Sequence, residues 1–256
     1  MRASLAALTA AMIVLLFVSL RGGAQPLQQV PLANGVANSP VVAELFTSQS
    51  CSSCPPAEKL FAELAERSDL IVLEWHVDYW DHLVHGRAGS WKDPYSSKAN
   101  TTRQRQYNRA LRGTAGVYTP QAVINGTQET VGNHRRDVEA LLHPTQHATA
   151  QITVSNEGEH LRIDIQGFVS DLEREADILQ LTLLPEQATA VPRGENRGAI
   201  LASKNVVLGL EKIGAYRGEA ISLKTQRPPD GETCAIIIQE KRGAQLGPII
   251  GARYCN

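Results

Sequence analysis

Residues 41–64 read VVAELFTSQSCSSCPPAEKLFAEL. Val41, Val42, Ala43, Leu45 and Phe46 form an apolar run of the length of a buried strand. A polar loop, residues 47–50, leads into Cys51-Ser52-Ser53-Cys54, after which Ala57, Leu60, Phe61 and Leu64 recur at helical spacing. This order predicts a strand that delivers a Cys-x-x-Cys to the start of a helix. Pro55 and Pro56 suit a first turn, where the N–H groups they lack have no intrahelical acceptor. The helix is therefore expected to begin at or just after Cys51. Unpaired N–H groups and a partial positive charge at that end stabilise a thiolate, and a cysteine pKa there can fall from ~8.5 to roughly 3.5–7.5. The expected roles are Cys51 as an exposed nucleophile and Cys54 as the resolving cysteine. The same spacing also serves a structural disulfide or half of a zinc site.

Outward from this stretch, residues 70–77 (LIVLEWHV) read as a second buried strand ending in Asp78-Tyr79-Trp80-Asp81. Strand, helix and strand within about forty residues predict a βαβ unit with a parallel pair. Residues 82–94 are irregular. Residues 96–111 are polar, with Tyr107, Ala110 and Leu111 as a narrow apolar stripe, and predict a solvent-facing helix whose Arg103, Arg105 and Arg109 are solvated. Asn125-Gly126 between apolar runs predicts a two-residue hairpin joining 122–124 to 127–131. Pro120 stands just before its first strand, where a missing N–H is tolerated. Asn133 is the expected N-cap of a helix that buries Val138, Leu141 and Leu142 and stops before Pro144.

The motifs ELFTSQSCSSCPPA (44–57), HVDYWD (76–81), WKDPY (91–95) and VYTPQ (117–121), with an Asn-Gly soon after, resemble those of a family of exported bacterial thioredoxin-like proteins of unknown function. The connection over residues 82–90 is longer than that family's. The resemblance implies a thioredoxin-like α/β domain in which Thr119-Pro120 takes the place of the cis-proline loop and holds a substrate strand against the disulfide. It also implies a buried acid in the strand before the cysteines. Glu44 lies one residue from the usual place of that acid, and alternation decides which face it points to. On the correct face it would take the proton of Cys54.

From about residue 151 the pattern changes. Ile152 and Val154, then Leu161, Ile163 and Ile165, alternate with polar residues around a turn at 156–158, and further short strands follow at 178–184, 199–208, 221–223, 235–239 and 249–254. The fold class expected is thus an α/β thioredoxin-like domain (41–147) followed by an all-β, sandwich-like domain (148–256). A hairpin about Ala244-Gln245 sets Cys234 opposite Cys255, which predicts a structural disulfide between them.

At the N-terminus, Arg2 precedes a largely apolar, uncharged run over residues 3–20, and Gly22-Gly23-Ala24 supplies small residues before Gln25. This is the pattern of a signal peptide cleaved after Ala24, with an uncleaved membrane anchor as the alternative. Residues 25–40 read as a linker. Removing 24 of the 256 residues leaves 232. Arg2 and Arg21 go with them, which takes the formal charge from −1 to −3. That balance argues against nucleic acid as the main partner. All four cysteines follow the leader, as expected of a periplasmic or secreted protein that keeps disulfides.

The leading functional expectation is an exported thiol–disulfide oxidoreductase that needs no cofactor and acts on protein thiols and disulfides together with a redox partner. The alternative is a copper-binding or copper-delivery protein that uses the same two cysteines plus His76, His85 or His134. A third reading is a binding module with an inert disulfide. His76 and Asp78 share a face at the end of their strand and are expected to act as a proton relay or as hydrogen-bonded structure. Trp75, Trp80 and Trp91 are candidates for core or for an apolar rim.

Overall fold

Every residue of β1 (Val41–Thr47) is buried, because both faces of the strand are covered. It runs parallel to β2 (Leu70–His76), in register from Val41 opposite Leu70 to Thr47 opposite His76. Alternation then sorts the side chains between two cores. Ala43, Leu45, Leu70 and Val72 meet Ala57, Leu60, Phe61 and Leu64 of α1 (Pro55–Leu64). Val42, Phe46, Ile71, Leu73 and Trp75 point the other way, towards Tyr107 of α2 (Lys98–Arg112). Ser97 caps α2 by accepting the Asn100 N–H at 3.1 Å, and Gly113 ends the helix in the left-handed region at φ 67°.

The computed structural model describes residues 39–143, 150–167, 175–243 and 245–256. The leader (1–24) and nearly all of the linker expected from the sequence lie outside them. Among the described residues no helix is long and apolar enough to cross a membrane.

β3 (Gln121–Ile124) pairs antiparallel with both β1 and β4 (Gln128–Val131). The intervening turn has the expected form, with Asn125 and Gly126 at φ 48° and 68°. A Cβ at Gly126 would stand 2.6 Å from the Gly247 carbonyl oxygen, so this turn needs glycine for space as well as conformation. α3 (Arg135–Leu141) follows, with His134 rather than Asn133 at its N-cap, and buries Val138.

The second half supplies β5 (Ala150–Glu157), β6 (His160–Gly167), β7 (Ala176–Ala190), β8 (Ile200–Tyr216), β9 (Ile221–Gln226), β10 (Thr233–Arg242) and β11 (Gln245–Tyr254). Here the expected fold class is overturned. There is no α/β thioredoxin-like domain followed by a separate sandwich. The chain is mostly β, with one mixed eight-stranded sheet in the order β11-β10-β7-β8-β2-β1-β3-β4 and a second sheet, β5-β6-β9. The joint is a parallel pairing of β2 with β8 through Glu74 opposite Val206. At 15 and 17 residues, β7 and β8 are long enough both to extend the first half's sheet and to carry the second.

The large sheet folds over on itself. Ile249 of β11 donates its N–H to the Asn125 carbonyl at 2.9 Å. One core gathers Val42, Phe46 and Trp75 with Leu179, Leu181 and Leu183 of β7 and Ile237 of β10. On the other face of β7 and β10, Ile178, Ile236 and Ile238 pack against Ile152, Leu161 and Ile163 of the smaller sheet.

α2 also departs from expectation. Its polar residues Asn100, Thr101, Arg103, Gln104 and Asn108 are buried, not solvated. Arg103 Nη2 donates to Glu44 Oε1 at 2.6 Å and Gln239 Oε1 at 3.0 Å, while its guanidinium lies over the Trp75 ring. The helix reads as polar because it satisfies a buried hydrogen-bond network that ties β1 to β10.

Cys234 and Cys255 are disulfide-bonded, with Cα atoms 5.2 Å apart. Near them the register is the expected one, since Ala235 stands opposite Tyr254. Irregularities between Ile238 and Lys241 then shift the turn by one residue.

Candidate functional site

The loop after β1 folds into successive turns. The Cys51 N–H donates to the Ser48 carbonyl at 3.0 Å and the Cys54 N–H to the Cys51 carbonyl at 3.2 Å. α1 starts only at Pro55, with both prolines in its first turn and Cys54 at the N-cap. The expected start at or just after Cys51 is corrected: the helix begins four residues later, which puts Cys54 and not Cys51 at its end. The cysteines are not bonded to each other, and they are 1% and 0% exposed. Cys51 is therefore not the exposed thiol expected from the sequence.

Cys51 still has a strongly stabilised thiolate, because the thiol of Cys54 donates to it. This contact outweighs burial, and with help from Ser53, whose Oγ lies 3.2 Å away, it lowers the Cys51 pKa to about 6. Cys54 moves the opposite way: burial, and then the neighbouring Cys51, hold its proton on. The pair is thus split into one thiolate and one thiol. The Thr119 carbonyl oxygen lies 4.0 Å from Cys51 Sγ, and the Thr119-Pro120 peptide is cis, with Pro120 buried.

Beneath the cysteines sits a group of buried ionisable side chains. Thr47 Oγ1 donates to Glu58 Oε1 at 2.7 Å, and Thr47 also lowers the Cys54 pKa, against the larger effects of burial and Cys51. Burial, and then the charge of Glu74, raise the Glu58 pKa to about 8. His76 Nδ1 lies 2.7 Å from Asp93 Oδ2, and its Nε2 lies 3.8 Å from Glu74 Oε2. Burial works against the imidazolium, but the charge and hydrogen bond of Asp93, joined by Glu74, prevail and raise His76 to about 10. Burial likewise pushes Glu74 up. Asp93 Oδ2 also accepts the Gln49 N–H at 2.8 Å, so this buried group shapes the cysteine loop directly.

Glu44 does not join this group. Its strand position points it to the α2 face, where it pairs with Arg103. Asp78, paired in the sequence reading with His76, instead accepts from Thr101 Oγ1 at 2.6 Å. Trp75 is core, whereas Trp80 Nε1 donates to Thr119 Oγ1 at 2.8 Å and Trp91 Nε1 to Gln49 Oε1 at 3.1 Å, so both brace the site.

The three histidines considered as metal ligands each face a carboxylate: His76 faces Asp93, His85 faces Glu195 and His134 faces Asp137. Among the described residues no group of three or more His, Cys, Asp or Glu side chains is arranged to hold a metal ion.

The turn between β7 and β8 reaches this site from far along the chain. Glu195 Oε2 accepts the Ser52 N–H at 2.9 Å, and Asn196 Nδ2 donates to the Gln49 and Cys51 carbonyls at 2.9 and 3.0 Å.

A family model described as "Protein of unknown function (DUF1223)" matches residues 42–239, a span that contains all of these side chains. The chain belongs to the DUF1223 family. A crystal structure of protein AGR_C_4864 from Agrobacterium tumefaciens is similar over 84% of this chain and 94% of that one, with a TM-score of 0.70 and 30% identity. HBP35 of Porphyromonas gingivalis shares the fold at 13% identity and a TM-score of 0.56, over 85% of this chain and 74% of that one. No curated protein matches.

Within this DUF1223 chain the sequence reading missed Glu58, Glu74, Asp93, Glu195 and Asn196. Glu58 had a usable signal, since it follows Cys54 by four residues and so lies over it on one helix face. Glu74 alternates with Val72 and His76 and had to share their face. Glu195 and Asn196 had none, because only the pairing of β2 with β8 brings their turn to the cysteines.

Proposed function

We propose that this DUF1223 protein is a thiol–disulfide oxidoreductase, exported to an oxidising compartment, that acts on protein thiols and disulfides through Cys51 and Cys54. One arrangement carries the reading: Cys51 and Cys54 stand unbonded within a single turn of chain, with Ser53 Oγ 3.2 Å and the Thr119 carbonyl oxygen 4.0 Å from Cys51 Sγ, surroundings that favour the thiolate at Cys51 and the thiol at Cys54. A structural cysteine pair needs no such asymmetry, whereas nucleophilic attack and resolution require it. The Cys234–Cys255 bridge supports the compartment.

In the reducing direction the Cys51 thiolate attacks one sulfur of a substrate disulfide. The substrate S–S bond breaks, its other sulfur leaves as a thiolate and takes up a proton, and a mixed disulfide remains. Cys54 then gives its proton through the Thr47 hydroxyl to the Glu58 carboxylate and attacks Cys51 Sγ, and the second substrate sulfur leaves as a thiolate that takes up a proton from water, Glu58 later losing the one it accepted. The substrate gains two electrons and Cys51–Cys54 becomes a disulfide. A partner dithiol restores the reduced pair, and the same steps reversed oxidise a substrate dithiol. The Thr119 carbonyl borders the attacking sulfur, and Thr119 with Pro120, joined to it by a cis peptide, would contact the substrate chain.

The test is insulin reduction driven by a dithiol. Wild type is expected to turn over and Cys51→Ser to be inactive. Full turnover by Cys51→Ser would end the proposal.

A further inference from the structure

Cys51 is 1% exposed, yet an attacking thiolate must meet a disulfide sulfur in line with the bond it breaks. The loop that carries it is bonded through its backbone to the 191–199 turn. Besides the Glu195 and Asn196 bonds to the cysteine loop, Glu195 Oε1 lies 3.1 Å from His85 Nδ1, and the Gly194 N–H donates to the Ala88 carbonyl at 2.9 Å. Ser50 Oγ donates to the Trp91 carbonyl at 2.6 Å, which binds the 85–91 segment to the same loop.

We infer that the 191–199 turn is a lid over Cys51, latched by Glu195 and Asn196 and seated on the 85–91 segment, and that disulfide exchange occurs only when it lifts. This rests on the reading of Cys51 as the nucleophile. The contacts that hold the turn to the site are a handful of polar bonds. Only Val191 and Gly194 within it are buried, so lifting uncovers little apolar surface. Such segments open locally at far lower cost than the strands beneath them. Gly194 and Gly198, at φ 77° and 85°, flank the two latch residues and supply backbone positions that can take up the movement. The Thr119 side of Cys51 differs in kind, because Thr119 and Pro120 lead directly into β3, which is paired with β1 in the sheet.

The experiment compares iodoacetamide alkylation of Cys51 in the reduced, full-length wild type and in Glu195→Ala/Asn196→Ala. It is run at alkaline pH, where the Cys51 thiolate is fully formed in both proteins, and read by peptide mass spectrometry. Removing the Glu195 bond to the Ser52 N–H, the Glu195 pairing with His85 and the two Asn196 bonds is expected to raise the Cys51 rate about tenfold and to leave the Cys54 rate unchanged. An unchanged Cys51 rate overturns the lid, as does a wild-type rate equal to that of the protein unfolded in urea. If the double variant does not fold, hydrogen exchange on wild type decides. The Ser52 and Gly194 amides are expected to exchange together and ahead of those in β1, and exchange of all of them only on global unfolding would refute the lid. Alkylation reads access and not turnover. A double variant that alkylates fast but still fails to reduce insulin would count against the oxidoreductase reading and leave the lid standing.

Discussion

Thr47 donates its hydroxyl proton to Glu58 at 2.7 Å and also lowers the pKa of the neighbouring Cys54, so a strand residue stands between that thiol and a buried carboxylate on the helix. In the proposed mechanism Glu58 can accept the Cys54 proton only when ionised. With its pKa raised to about 8, the ionised fraction grows as pH rises through that value. Glu58→Gln is expected to slow the resolving step by roughly a hundredfold and to abolish its rise with pH, while the first attack by Cys51 is unaffected. Rapid-quench trapping of the mixed disulfide measures both steps. An unaltered resolving rate would remove Glu58 from the mechanism.

The Glu44–Arg103 pair is wholly buried and acts in the fold, away from the chemistry. Arg103→Met strands Glu44 and is expected to cost about 3–5 kcal/mol in urea unfolding, most of it regained in Glu44→Gln/Arg103→Met. Equal losses in the single and double variants would contradict this role.

His76 makes stability depend on pH. Its folded pKa of about 10 lies above the ordinary 6.5, so the stabilisation it gives is complete below the lower value and disappears as pH climbs through the higher one. The difference in urea midpoint between wild type and His76→Gln should accordingly narrow between these pH values. A constant difference across that window would mean that His76 is not held protonated.

Much of this arrangement could be read from local pattern. Asn125-Gly126 fixed a hairpin because its turn requires positive φ at both residues, and strand register alone placed Cys234 against Cys255. Misreadings arose where partners are remote. Arg103 looks solvated beside Arg105 and Arg109, and only Gln239 and Glu44, 136 and 59 residues away, show why it is buried. The two-domain fold class failed for a similar reason: the single bridge between β2 and β8 that merges the halves leaves no trace in either strand's alternation. At the site, the cysteine spacing marked Cys51 and Cys54 as the candidate pair, but the acid near it had to be found by geometry, since alternation turned Glu44 away and the helix brought Glu58 in.

The Cys234–Cys255 bridge closes a loop with a sequence separation of 21, and its removal in Cys234→Ser/Cys255→Ser is expected to cost about 3 kcal/mol. Because the bridge joins β10 to β11, away from Cys51, the reduced variant should keep its Cys51 alkylation rate under conditions where it stays folded. A changed rate would show that the bridge influences the site.

The most direct measurement is the pH titration of the Cys51 thiolate by ultraviolet absorbance, in reduced wild type and in Cys54→Ala. Wild type should titrate at about 6, and loss of the Cys54 thiol donor should move the value up towards the ordinary 9.0. A wild-type Cys51 that titrates near 9.0, or one indifferent to Cys54→Ala, would contradict the claim that the two thiols divide the roles of nucleophile and donor.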